Sequence, residues 1–171
     1  TVDDTQETSG ETGQNTDTPL QVNYSVYFRN QGWSDPAADN QALSASSESW
    51  VTSMKANLIN IPSGAQIGVR YKVNLSGTGW LDWKADGVEN GGASAEKPLE
   101  AIAMELTGSS AASYDLYYKV YQNGSWTDWA VNGATAGTEG AGLRVDGIKA
   151  SITAKDAGAP AETASSTVDP S

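Results

Sequence analysis

Apolar side chains fall on every second residue in three stretches of the chain. Leu20, Val22, Tyr24 and Val26 form the first. Ile67, Val69, Tyr71, Val73 and Leu75 form the second, and Tyr114, Leu116, Tyr118 and Val120 the third. Period two is the signature of a strand with one face in a core and the other in water. Three further apolar runs follow, Val51 to Leu58, Leu99 to Leu106 and Val145 to Ile152. They also alternate, but the phase slips by one place, across Gly147 in the last run and between Leu99 and Ile102 in the middle one. Such a slip predicts a β-bulge. Gly-rich stretches such as Asn132 to Gly140 read as turns. No window combines a 3.6-residue period with a helix cap. The pattern predicts an all-β protein.

The strands recur in a unit. Tyr24, Tyr71 and Tyr118 are spaced by 47 residues, and Trp33, Trp80 and Trp126 follow them at nearly the same spacing. Two residues after each Trp stands an acid: Asp35, Asp82 and Asp128. Four residues further come Asp39, Asp86 and Asn132, then Asn40, Gly87 and Gly133. Three units, 19–60, 61–107 and 108–155, fill the region. Each is expected to supply three strong strands and at most one short extra one. One such unit cannot bury its apolar face alone, whereas three can share an axis. The expectation is a pseudo-threefold closed fold, a β-prism with one sheet per unit in preference to a β-trefoil. A propeller needs about four blades or more.

Composition sharpens this picture. The 171 residues carry 21 acids against 10 bases, a formal charge of −11. Residues 1–18 hold five acids and no base, and residues 156–171 hold three acids and no base. Both ends are polar and rich in small residues, and neither buries enough apolar surface to offset its ordering entropy. They are expected to be disordered linkers, leaving −3 on 19–155. Cysteine and histidine are absent. That excludes disulfides, thiol nucleophiles, histidine triads and histidine-based metal sites. The acidity disfavours nucleic acid and anionic membranes as partners, and no apolar run is long enough to span a bilayer. No signal peptide and no initiator Met stand at the start, so the chain reads as a piece of a larger multidomain secreted protein.

These residues resemble the clostridial hydrophobic W (ChW) repeat. The third unit carries the resemblance best, in Tyr114–Val120, Trp126-Thr-Asp-Trp129, Asn132-Gly-Ala134, Ala136-Gly-Thr138 and Arg144-Val-Asp-Gly-Ile148. The second keeps Gly79-Trp80, Trp83 and Leu99-Glu-Ala-Ile102. The family's usual histidine is replaced by Tyr27, Asn74 and Tyr121. The first unit has Pro36 where the others have Trp83 and Trp129, and Ser44 where they have Gly91 and Gly137. The resemblance implies a secreted or cell-surface protein of a Gram-positive bacterium, acting in binding or adhesion and not as an enzyme.

Candidate chemistry sits on the recurring residues. Trp80 and Trp83 are three apart, as are Trp126 and Trp129, and an odd offset along a strand puts side chains on opposite faces. Trp33, Trp80 and Trp126 are therefore expected in the core, and Trp83 and Trp129 outside, as platforms for a sugar ring or as packing against a neighbouring unit. Asp82, Asp128, Asp86 and Asn132 are candidates to take glycan hydroxyls, with turn chemistry as the alternative. Calcium needs more oxygen ligands than they supply. Tyr121, with Tyr27 and Tyr117, extends the aromatic surface or forms cross-strand pairs. Glu100 and Asp146 occupy matching positions, but a position recurring in two units points to architecture, not one catalytic centre. No catalytic residue, metal or cofactor is expected. Two readings stand: a carbohydrate-binding or adhesion module, and a structural module that docks a cell-surface protein.

Overall fold

The computed structural model describes residues 19–44, 49–92 and 97–160. Of the expected linkers 1–18 and 156–171, residues 1–18 and 161–171 lie outside the described residues, while Asp156 donates its N–H to Asp115 Oδ2 (3.0 Å). The only helix among the described residues is one short 3-10 turn, and about half of them are in strands. In chain order these are β1 (Gln21–Phe28), β2 (Gly32–Trp33), β3 (Ala37–Ala38), β4 (Leu43–Ser44), β5 (Val51–Ile59), β6 (Gly68–Leu75), β7 (Gly79–Trp80), β8 (Lys84–Ala85), β9 (Asn90–Gly91) and β10 (Leu99–Thr107). After a short 3-10 helix, Ser109–Ser113, come β11 (Tyr114–Gln122), β12 (Ser125–Trp126), β13 (Ala130–Val131), β14 (Ala136–Gly137) and β15 (Val145–Ala154). The long strands are the ones the period-two pattern predicts. The count differs from expectation, because each stretch holds two long strands and three of only two residues.

The strands form three antiparallel sheets, ordered β2-β1-β5-β9, β7-β6-β10-β14 and β12-β11-β15-β4, with β3, β8 and β13 added to β1, β6 and β11. None closes into a barrel. Each sheet contacts the other two, through β5 against β6, β10 against β11 and β15 against β1. Their inner faces share one core, centred on Tyr24, Tyr71 and Tyr118, none more than 1% exposed. Aromatic side chains of this size supply the largest apolar areas available to such a core.

The slips in apolar phase are bulges. Pairing jumps over Glu100 between Leu99 and Ala101, and over Asp146 between Val145 and Gly147. A third jump, over Thr52, lies in β5, where no phase slip is read from the apolar pattern. Each bulge turns both of its apolar neighbours inward: Val51 with Met54, Leu99 with Ile102, Val145 with Ile148.

The short fourth strands join the sheets together. β9 pairs with β5, β14 with β10, and β4 with β15, so each stretch lends a strand to another stretch's sheet and the lending closes a ring. The contacts are tight. A Cβ on Gly91 (φ 124°) would lie 2.5 Å from Thr52 O, and one on Gly137 (φ 102°) 2.5 Å from Glu100 O. Neither conformation nor space admits a larger residue. At the third junction Ser44 stands in the glycine's place, and its partner Gly147 supplies the room instead.

Candidate functional site

The outward faces of the sheets carry the tryptophans. All six are half-buried, and none belongs to the core cluster. The expected division, with Trp33, Trp80 and Trp126 inside, does not hold. The odd-offset argument needs an unbroken strand, but β7 ends at Trp80 and β8 begins at Lys84, with Leu81 to Trp83 in neither. The chain turns between the two rings, and both reach the same side.

Every tryptophan has a cation over its ring. Lys55 Nζ lies 4.3 Å from the Trp33 centroid. Lys72 Nζ lies 4.8 Å from Trp80 and 5.1 Å from Trp83, and the Arg70 guanidinium 4.3 Å from Trp83. Lys119 Nζ is 4.2 Å from Trp129, while Lys149 Nζ is 5.8 Å from both Trp126 and Trp129. Arg29 and Arg144 cover Trp50. Ring quadrupoles attract such cations by about 0.5–2 kcal/mol each, more as water is excluded. Tyr27, Tyr117 and Tyr121 meet Trp33, Trp129 and Trp126 edge to face, at 5.5, 6.2 and 5.3 Å. In this arrangement Tyr121 braces Trp126, which lies directly across the ladder from it.

The cations were not singled out from the sequence. Lys55 is far along the chain from Trp33, and only the pairing of β1 with β5 brings them together. A signal did exist, since Tyr71-Lys72 and Tyr118-Lys119 repeat an inward Tyr followed by an outward Lys. Lys119 and Lys149 are direct cross-strand partners and both are buried. Like charges so placed repel, and the flanking indole faces offset part of that.

The turn residues are committed to the backbone. The Val22 N–H donates to Asp39 Oδ1 (2.9 Å), Val69 N–H to Asp86 Oδ1 (3.0 Å) and Leu116 N–H to Asn132 Oδ1 (2.9 Å). Asp86-Gly87 and Asn132-Gly133 have positive φ at both residues, the conformation of a tight turn. From these turns Asn40, Gly87 and Gly133 donate N–H bonds to Ala150, Ala56 and Met104 of the neighbouring sheet. Tyr24, Tyr71 and Tyr118 donate their hydroxyls to the carbonyls of Gln41, Val88 and Ala134. Burial raises all three phenols, that of Tyr118 to about 12. Burial also lifts the Asp39 carboxyl to about 6, against the opposing hydrogen bonds from Val22, Ile152 and Ser151.

Asp35, Asp82 and Asp128 are exposed. Asp82 offers its backbone carbonyl to Asn90 Nδ2 (2.9 Å). Structure thus brings Trp83 together with Trp80, and Trp129 with Trp126 and Lys119, on two different sheets. It gives Asp86 and Asn132 inward-looking tasks. Glu100 and Asp146 lie at bulges on separate sheets. Glu100 Oε1 accepts the Gly140 N–H (2.9 Å), and Asp146 pairs with Arg144 (2.8 Å). Among the described residues no group of three His, Cys, Asp or Glu gathers to hold a metal.

A separate cavity of about 860 Å³ opens at the end of the molecule where β1 begins and β15 stops, lined by Pro19, Leu20, Ile61, Pro62, Tyr114 and Ile152 among others. It contains none of the candidate site residues.

Residues 122–154, from the end of β11 through β15, match the family model described as Clostridial hydrophobic W. The matched stretch covers Trp126, Trp129, the Asn132-Gly133 turn, the lent strand β14 and the bulge at Asp146. No curated protein and no solved structure matches the chain.

Proposed function

We propose that the protein is a non-catalytic binding or adhesion module of the bacterial cell exterior, and that it takes carbohydrate on the outward faces of its sheets. The observation that supports this is the placement of Trp80 with Trp83 and of Trp126 with Trp129, half-buried and outward, each pair beside a lysine. A flat apolar ring next to hydrogen-bond donors suits the C–H face and oxygens of a sugar. We further propose that the three sheets are three tandem ChW-like units arranged as a β-prism. The lack of a barrel favours that form over a trefoil. Glu100 and Asp146 have structural partners and sit on different sheets, so the reading includes no enzyme activity.

Glycan-array binding with Trp83→Ala and Trp129→Ala tests the site. Both variants are expected to keep the parent's circular dichroism and to lose most array signal, with the double variant losing nearly all. If both fold and bind like the parent, the assignment is wrong. The cavity at Pro19 and Tyr114, with Ile61 46% exposed beside it, favours a second reading, docking of a cell-surface protein through apolar contact. Array silence together with capture of a protein that Ile61→Asp abolishes would select it.

A further inference from the structure

We infer that the sugars this surface takes are acidic, carboxylate-bearing ones, with Lys72 and Lys55 as the groups that read the charge. The inference rests on the carbohydrate reading above and narrows it.

Lys72 stands between Trp80 and Trp83, and Lys55 over Trp33. Neither has a carboxylate within ion-pair distance among the described residues; Arg70, beside Lys72, is instead held by Glu105. The lysine changes place between sheets while its ring partner is kept. Lys72 lies on β6 opposite Ala103, whereas Lys55 lies on β5 opposite Ser25. One sheet supplies the cation from the first strand of the long pair, the other from the second, and the ammonium reaches an indole face in both. Third in the series, β11 and β15 supply one each, Lys119 opposite Lys149. What recurs is the pairing of ring and charge, not a residue at one place.

The groups seated over the rings are cations. Asp86 and Asn132 accept backbone N–H bonds within their turns, and the exposed Asp35, Asp82 and Asp128 beside the tryptophans in the chain are left to take neutral hydroxyls of the same sugar. Ten bases serve a chain of charge −11, and seven of them lie over tryptophan. An acidic protein thus gathers its positive charge on the faces that also hold its half-buried rings. A uronate matches both features, stacking its ring C–H bonds on the indole while its carboxylate accepts from the ammonium in a charge-assisted bond.

Titration calorimetry with polygalacturonate, its methyl ester and poly-glutamate tests this. Binding to polygalacturonate is expected to exceed that to the ester by roughly tenfold, the worth of one charge-assisted contact. Lys72→Gln, shown folded by circular dichroism, is expected to lower it several-fold, and Lys72→Arg to restore it. Equal binding of acid and ester overturns the role of charge while leaving the carbohydrate reading intact. Poly-glutamate binding as well as polygalacturonate overturns sugar recognition in favour of an acidic polypeptide. No binding to polygalacturonate overturns the inference, and the array then decides the broader reading independently.

Discussion

The sheet built on β1 and β5 and the sheet built on β11 and β15 agree on their inner faces and part on their outer ones. Inside, Tyr24 and Tyr118 are buried alike and reach the equivalent carbonyls of Gln41 and Ala134, while Asp39 and Asn132 cap Val22 and Leu116 in the same way. Outside, one sheet has Trp33 under one lysine, with Trp50 apart from it just before β5, between Arg29 and Arg144. The other has Trp126 and Trp129 with two lysines, and Pro36 stands where the first would carry its second ring. The junctions show how far identity can drift while geometry stays. At β14 the room comes from Gly137 on the lent strand; at β4 it comes from Gly147 on the receiving one. The backbone approach is what the fold requires, and either partner can provide it.

The largest expected effect breaks this symmetry at a junction. Gly137→Val forces a branched residue into positive φ against Glu100 O, and should cost more than about 3 kcal/mol in urea unfolding. Ser44→Ala, at the corresponding place, should stay within about 0.5 kcal/mol because Gly147 already leaves room. Similar losses in both would show that the two junctions are not equivalent solutions.

An intermediate effect tests the likeness of the inner faces. Tyr24→Phe and Tyr118→Phe each remove the bond a buried phenol donates to the carbonyl of an exposed residue, Gln41 or Ala134, and each should cost about 1 kcal/mol. A cost at one position only would mean that the matched geometry conceals unequal bonds.

The smallest effect exposes a difference hidden in the turns. Asp39 titrates and Asn132 does not. Because burial raises the Asp39 carboxyl to about 6 from its ordinary 3.8, the folded state holds its proton more tightly than the unfolded state. The stabilisation is complete below about pH 4 and is lost as pH rises through 6. Asp39→Asn should remove that part of the stability–pH curve, seen as a parent-minus-variant difference that declines between pH 4 and 6.5. A flat difference would show that Asp39 is better solvated than its position indicates.

Much of the fold was legible because the long strands alternate so regularly that inward residues such as Val22, Tyr71 and Leu116 could be named directly. The bulges were legible too, since a bulge shifts the apolar phase, as at Gly147. Two-residue strands have no period to read, which is why β4, β9 and β14 and their ring of exchange stayed hidden. The tryptophans misled because sequence spacing gives a face only while the backbone stays extended, and it does not between Trp80 and Trp83. Cations over rings were hidden for another reason: Lys55 and Trp33 meet through pairing between distant segments, which no local pattern encodes.

The lent strands also bear on how the chain is made. Leu43, in the first of the three stretches, finds its partner Ile148 only once the third has been made. Until then β4 is an unpaired edge and the core lacks its third wall. Contacts of such sequence separation slow folding, so the structure should form late and as a whole, after translation has passed β15.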